Sequence, residues 1–175
     1  MKELKPIDYK LMFELIKDSH RSDRQLAKAL GISQPTVTRR RTMLEKNFID
    51  GYTIVPKFGQ MGFELVAFTL VKSKLKDYRG SEESSAIDRM KEWYMKKPNV
   101  LLTIGGRGLG YDLMIVSVHQ NYSDFAKFMR ENESELSDLM IESQSFRADL
   151  TPGLVIKPFH LKYLAKLDNF LDKRD

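Results

Sequence analysis

The sequence predicts an α+β chain in which an N-terminal winged helix-turn-helix is followed by a ferredoxin-like βαββαβ domain. Two observations support this order: short helical patterns fill residues 7–45, and runs rich in β-branched and aromatic residues alternate with helical patterns after them. The domain boundaries that we expect are residues 1–55 for the helix-turn-helix, 56–62 for a linker, 63–150 for the ferredoxin-like domain, and 151–175 for a C-terminal extension with a helix.

Three helices are expected in the N-terminal domain. Residues 7–16 carry apolar side chains at helical spacing and form the first helix. Ser22 is placed to cap a second helix that Gly31 ends, and Ser33 is placed to cap a third. Pro35 lies in the first turn of the third helix, where its missing N–H costs nothing. Two short helices joined by a tight turn containing glycine are the layout of a helix-turn-helix.

The third helix carries residue types that suit a DNA duplex. Val37 and Leu44 are seven residues apart and share its buried face, so the polar residues opposite them point outward. Gln suits adenine in the major groove, and Arg suits guanine or phosphate. The residues that we predict to contact double-stranded DNA are Ser22, Ser33, Gln34, Pro35, Thr36, Thr38, Arg39 and Arg40. Three consecutive arginines can also form a merely solvated face, but the preceding turn favours the DNA-reading interpretation.

The distribution of charge also indicates a polyanionic partner. The net charge is +5, and residues 1–60 carry 12 Lys and Arg against 7 Asp and Glu, whereas residues 61–175 carry 17 of each. A local basic excess favours nucleic acid because each neutralised phosphate releases condensed counterions. The excess therefore lies in the part of the chain that holds the predicted helix-turn-helix.

Composition argues against metal, disulfide and membrane chemistry. The chain has no cysteine, and its three histidines, His20, His119 and His160, are isolated, so we expect neither a metal site nor a cofactor. No apolar run approaches the roughly 18 residues that a membrane span needs, and residues 1–5 lack the apolar stretch of a secretory signal. The expectation is a cytoplasmic protein without a membrane partner.

The N-terminal residues follow the pattern of a known family. The matching residues are Asp8, Leu11, Leu15, Arg24, Leu26, Ala27, Leu30-Gly31-Ile32-Ser33, Thr36-Val37, Arg40, Leu44-Glu45, Ile49 and Gly51-Tyr52. In this order they resemble the leucine-responsive regulatory protein/AsnC family, the feast/famine regulators. Arg41 departs from the family, which usually has an apolar residue there, and we expect its head to reach water. Asn47-Phe48 departs too, since the family usually has a helix-ending glycine, and we expect Asn47 to supply a left-handed cap.

Residues 48–56 are predicted to form a β-rich wing and exit strand, which Pro56 and Gly59 close. In the resembled family this stretch joins the DNA-binding domain to the second domain and often pairs with its counterpart in the partner subunit. The family's second domain packs sheet against sheet in dimers, and the dimers often assemble further. The resemblance ends near residue 149, and we expect the extension beyond it to reinforce the oligomer.

The second domain is predicted from alternating strand and helix patterns. Its expected elements are strands at residues 63–71, 100–104, 113–118 and 140–146, with one helix beginning at Ser81 and another that Ser123 caps. The apolar stripe of the first helix is expected to be Ile87, Met90, Trp93 and Tyr94. The helix of the extension is expected to use Leu161, Leu164, Ala165 and Leu167 or Asp168. We assign the clustered aromatic and methionine residues to the core rather than to a cofactor.

A glycine-rich turn at residues 105–112 matches the family's Gly-x-Tyr-Asp turn, with Leu109 where the glycine is usual. The resemblance implies a small molecule, commonly an amino acid, bound between dimers. Successive glycines let backbone N–H groups approach a carboxylate, and Asp112 can take an ammonium group. The residues that we predict to bind an effector are Arg107, Gly108, Gly110, Tyr111 and Asp112. A flexible hairpin whose glycines only supply positive φ is an equal alternative.

These observations predict a sequence-specific DNA-binding transcription regulator, not an enzyme, that acts as a homodimer or higher homo-oligomer. Two recognition helices would enter successive major grooves of the duplex. One alternative is an architectural, nucleoid-like protein with little sequence preference. Another is a haem-pathway decarboxylase of the same architecture, for which His119 and Arg107 are the obvious basic candidates in the second domain.

Overall fold

The computed structural model of the protein describes residues 4–75, 80–150 and 154–166. These residues divide into two compact units. The described parts of Met1–Val55 and Pro158–Asp175 form one unit, which we call the head. Pro56–Lys157 forms the other, the sheet unit.

The head contains three helices and a short 3-10 helix. The helices are α1 (Pro6–Lys17), α2 (Asp23–Leu30) and α3 (Gln34–Asn47), and the 3-10 helix, Leu161–Lys166, lies against α1. The buried core of the head consists of Leu11, Leu15, Leu26, Ala27, Val37 and Leu44. The predicted face of α3 is confirmed, since Val37 and Leu44 are fully buried.

The turn between α2 and α3 forms as the sequence indicates. The Ser22 hydroxyl accepts a hydrogen bond from the Gln25 backbone N–H at 3.3 Å, and the Gln25 side chain accepts one from the Ser22 backbone N–H at 2.8 Å. Gly31 ends α2 in the left-handed conformation, with φ of 66°. Ser33 is the N-cap residue of α3, but its hydroxyl bonds to the Thr36 hydroxyl at 2.8 Å instead of to the backbone.

Two local expectations for the head were wrong. Asn47 is the last residue of α3 and not a left-handed cap, because its side-chain amide donates to the Met43 carbonyl at 2.7 Å and keeps it helical. Residues 49–57 form no strand, although an exit strand was predicted there. A strand needs a neighbour for its N–H and C=O groups, and the described part of the head supplies none at this stretch.

The sheet unit has the predicted βαββαβ order. Its elements are β1 (Leu65–Ser73), α4 (Ser81–Met95), β2 (Val100–Gly108), β3 (Tyr111–His119), α5 (Tyr122–Glu135) and β4 (Met140–Asp149). The strands pair antiparallel in the order β2-β3-β1-β4. The predicted linker also contains a 3-10 helix at Phe58–Met61. No helix in the described chain is long and apolar enough to cross a membrane.

One face of the sheet is buried beneath the two helices. The core combines strand residues such as Val71 and Ile115 with residues of α4, α5 and the segment that leads into β4. In α4 the buried residues are Ala86, Met90 and Tyr94, spaced four apart, whereas Ile87 is 45% exposed. Ile87 was therefore wrongly assigned to the stripe, because it lies one residue beyond the buried row.

The hairpin between β2 and β3 is tighter than the glycines suggested. β2 continues through the residues expected to form a long turn, and Gly108 pairs with Tyr111. Leu109 and Gly110 alone make the turn, with φ of 54° and 83°. Positive φ at both positions matches a two-residue hairpin turn whose twist follows that of the strands. The predicted helix of the extension extends to residues outside the described chain, and its described part is the 3-10 helix.

Candidate functional site

The outward face of α3 is the candidate nucleic-acid interface. Because Val37 and Leu44 are directed into the core, Pro35 and Arg39 on the opposite side are exposed, and Gln34 in the first turn is exposed as well. Arg39 has no salt bridge among the described residues, so its guanidinium is available to a phosphate or to a guanine edge.

Arg40 has a different partner from its neighbour. Its Nη1 donates to Asp8 Oδ1 at 2.7 Å, and the Asp8 side chain on α1 is 2% exposed. The Lys5 backbone N–H donates to the other Asp8 oxygen at 2.8 Å, so the buried carboxylate has a partner at each oxygen. Arg40 was predicted as a DNA contact, and the structure instead places this nitrogen in a bond between α3 and α1. Its spacing from Val37 and Leu44, three and four residues, is a sequence signal of this inward position.

Arg41 reaches three separate parts of the head. Its Nη1 donates to Asp23 Oδ1 and to the Arg21 carbonyl, each at 3.2 Å. Its Nε donates to Glu45 Oε1 at 2.9 Å. The guanidinium carbon also lies 5.6 Å from the centre of the Tyr52 ring. The expected water-reaching head is thus held by carboxylates and an aromatic ring of the same unit.

The hydroxyl groups among the predicted contacts are already bonded within the head. Thr38 Oγ1 donates to Asp23 Oδ2 at 2.6 Å, the Ser22 hydroxyl caps α2, and the hydroxyls of Ser33 and Thr36 bond to each other. These residues lie at or near the turn, where their first effect is to fix the start of each helix. Their contact with DNA stays a prediction.

One exposed cation on this face was not among the predicted contacts. Lys46 follows Arg39 by seven residues, so it lies two turns further along the same side of α3, and it is exposed. The seven-residue spacing that placed Val37 and Leu44 on one face also predicts this position. Arg39 and Lys46 together therefore give the outward face two positive charges.

The β2–β3 hairpin holds the predicted effector residues. Asp112 accepts from the Ser73 backbone N–H at 2.8 Å and from the Ser73 hydroxyl at 3.0 Å. Partial desolvation, and after it the neighbouring Glu142 carboxylate, raise the pKa of the Tyr111 phenol. Arg107 is exposed. The structure thus brings these side chains to one end of the sheet but uses the Asp112 carboxylate to hold β1.

The backbone conformation of the hairpin favours glycine at one of its positions but not at another. Gly110 has φ of 83°, a conformation that side chains disfavour. Gly108 has ordinary φ, and a Cβ built on it meets no atom within 4 Å. Nothing in the described chain therefore requires glycine at residue 108, where the open space leaves the backbone accessible.

His119 is a structural residue. It is fully buried, its Nε2 lies 2.9 Å from the Ser117 hydroxyl, and its ring packs 5.3 Å from the rings of Phe125 and Phe128. Burial lowers the pKa of its imidazole, against an opposing effect of Asp124. His119 is the last residue of β3, whereas Arg107 lies on β2 beside the first residues of β3, so the two are roughly 25 Å apart at the usual strand rise. The chain therefore does not gather the basic pair that a decarboxylase was expected to need.

The sheet face opposite the helices is rich in exposed apolar side chains. Phe68 is 37% exposed and Phe146 71%, with their ring centroids 6.3 Å apart across β1 and β4. Leu102 and Ile104 on β2 are 45% and 49% exposed. Strand alternation puts these four residues on the same face, since Leu102 pairs beside Val116, which in turn pairs with Phe68.

Comparison with known proteins agrees with this architecture. Residues 4–47 match the family model described as winged helix-turn-helix DNA-binding. An uncharacterized HTH-type transcriptional regulator of Pyrococcus horikoshii is 27% identical over 129 residues, which cover 73% of this chain and 80% of that protein. The leucine-responsive regulatory protein of Rhizobium meliloti is 29% identical over 130 residues, which cover 74% of this chain and 79% of that protein.

The same fold occurs in a solved regulator. The crystal structure of the transcriptional regulator NMB0573 from Neisseria meningitidis, a complex with L-Met, matches with a TM-score of 0.71 at 18% identity. The match covers 93% of this chain and 99% of that one. The chain therefore has a winged helix-turn-helix, shares its fold with this regulator, and is similar in sequence to the leucine-responsive regulatory protein of Rhizobium meliloti.

Proposed function

We propose that the protein is a sequence-specific DNA-binding transcription regulator that acts in the cytoplasm and reads the major groove with α3. The observation that carries the proposal is the outward face of α3, where Arg39 is exposed and has no salt-bridge partner in the described chain; Gln34, in the first turn of the same helix, is also exposed. Both residue types make bidentate contacts with base edges. The basic excess of residues 1–60 supplies attraction to phosphates.

The regulator acts as a homodimer in this proposal, and the exposed apolar sheet face is its interface. Soluble proteins rarely leave a contiguous apolar patch in water without a partner. Phe68, Phe146, Leu102 and Ile104 support this face as the one that a second copy covers. A dimer presents two copies of α3 to two half-sites, as a pseudo-palindromic operator requires.

A small molecule, such as an amino acid, modulates DNA binding in this proposal. Support comes from the L-Met complex of the Neisseria regulator, whose fold this chain shares. Here the exposed Arg107 and the open backbone at Gly108 suit a carboxylate. The Asp112 carboxylate, which already accepts two bonds from Ser73, is a weaker candidate for the ammonium group.

Selection of bound sequences from a random duplex library, with and without a panel of amino acids, tests the proposal. We expect one enriched pseudo-palindromic sequence, and Arg39→Ala lowers the affinity for it. Arg130→Ala is the matched control, because it removes the same charge from an exposed position on α5. Equal affinity for the enriched and for random duplexes at fixed salt would instead support the architectural alternative.

A further inference from the structure

Arg41 stands where the resembled family usually has an apolar residue, and it connects three parts of the head. Asp23 belongs to the first turn of α2, Glu45 to the last turn of α3, and Tyr52 to the segment that leaves the head. We call these four side chains the Arg41 cluster. All four residues are in the described chain, and none of the three partner contacts exceeds hydrogen-bond or cation–π distance.

The segment after α3 depends on this cluster for its attachment. Residues 49–57 form no helix or strand, and Ile54 and Val55 are 75% and 40% exposed. The Tyr52 hydroxyl donates to Glu45 Oε1 at 2.9 Å, the same oxygen that accepts from Arg41 Nε. The tyrosine is thus held on α3 by its hydroxyl and by its ring.

The cluster is sheltered at its Arg41–Asp23 contact, whereas Glu45 and Tyr52 are 40% and 45% exposed. The side chains of Arg41 and Asp23 are 22% and 21% exposed, so water competes with their contact less than with a fully exposed surface pair. Glu45 accepts from two donors at once, which couples the arginine and the tyrosine. An apolar residue at position 41 could not make these bonds.

We propose that Arg41 is a positioning residue that fixes, through Glu45 and Tyr52, the point at which the chain leaves the recognition helix. The proposal rests on the proposed function, because its consequence is expressed on DNA. In a dimer, a fixed exit point limits the distances at which two copies of α3 reach two half-sites. Arg41 therefore sets selectivity for half-site spacing, without itself contacting a base.

The first test measures the tether in the absence of DNA. The chain has no cysteine, so Ile54→Cys gives a single site for a nitroxide label on the exit segment. We expect the electron paramagnetic resonance spectrum to show a more mobile label when Arg41→Met is added. The increase in mobility should be smaller with Tyr52→Phe, because this variant keeps the ring. A label at Met95→Cys, an exposed position on α4, is the control that must not respond.

The second test uses duplexes that carry the selected half-sites with inserts of different length. We expect the parent protein to prefer one spacing by about tenfold or more, and Arg41→Met to reduce this preference to about threefold while binding a single half-site equally well. Arg39→Ala is the matched control: it weakens binding at every spacing and leaves the order of preference unchanged.

The outcomes separate the inference from the function on which it rests. If the parent selects no sequence, the proposed function fails, while the label still reports whether the tether exists. Unchanged label mobility in Arg41→Met, or an unchanged spacing preference, overturns the inference even when sequence-specific binding is intact. If Arg41→Met does not fold, the same two measurements on Tyr52→Phe test the inference. This variant removes only the hydroxyl that donates to Glu45.

Discussion

The recognition helix and the β2–β3 hairpin differ in how their polar residues are divided between those bonded within the fold and those left exposed. In α3 the division follows the helical period, so that Arg40 turns inward to Asp8 while Arg39, on the other side, has no salt bridge to any described residue. In the hairpin the division is between the two strands: Asp112 on β3 is bonded to β1, whereas Arg107 on β2 is exposed. The comparison teaches that a polar residue in a binding motif is available to a ligand only if the fold has not already used it.

The largest expected effect is on the stability of the head. Arg40→Ala leaves the Asp8 carboxylate buried without its cation, and we expect a loss of about 3 kcal/mol in the free energy of unfolding. Urea denaturation followed by circular dichroism measures this loss. Asp8→Asn combined with Arg40→Met should recover much of the stability, because neither buried charge remains. A loss below about 1 kcal/mol for Arg40→Ala would show that the ion pair does not stabilise the head.

The next largest effect is expected at the Asp112 carboxylate, on which the stability of the sheet unit depends. Asp112→Ala removes the acceptor of the Ser73 backbone N–H and hydroxyl, and we expect a cost of about 2 kcal/mol in the stability of the sheet unit. Hydrogen exchange of the β1 and β3 amides measures it, with Asp112→Asn as the control that keeps an acceptor oxygen. If Asp112→Ala instead leaves exchange unchanged and abolishes an amino-acid response, the carboxylate belongs to the ligand and not to the fold.

The sequence predicted the part of this architecture that depends on local pattern. Periodicity gave the element order, and the Ser22 cap and Gly31 turn follow from residues that act on their immediate neighbours. The pairing of Arg40 with Asp8 joins residues 32 positions apart, so it depends on how α1 crosses α3, which local pattern does not contain. The prediction of an exit strand failed for a related reason, since β propensity at residues 49–57 does not say whether a neighbouring strand exists.

A change at Arg39 is expected to affect DNA binding and not folding. Arg39→Ala should leave the unfolding free energy unchanged within about 0.5 kcal/mol, because the side chain is exposed and has no salt bridge in the described chain. Its affinity for the selected duplex should fall about tenfold, equivalent to about 1.4 kcal/mol. Titrations at several salt concentrations distinguish the contact: a phosphate contact lowers the salt slope by about 1, whereas a base contact relaxes the sequence preference at one position. Equal affinity would remove Arg39 from the interface.

The smallest expected effect on stability is at Arg107, which is an exposed arginine of a candidate binding site, as Arg39 is on α3. Arg107→Ala should change the unfolding free energy by less than about 0.5 kcal/mol, because the side chain is exposed. If a carboxylate binds there, the affinity for the active amino acid should fall about tenfold, as expected when one charge-assisted hydrogen bond is lost. Calorimetric titration measures the affinity, with Lys91→Ala on α4 as the charge control. An equal fall in Lys91→Ala would mean that net charge, and not a contact at the hairpin, attracts the ligand, and the hairpin would then be a turn alone.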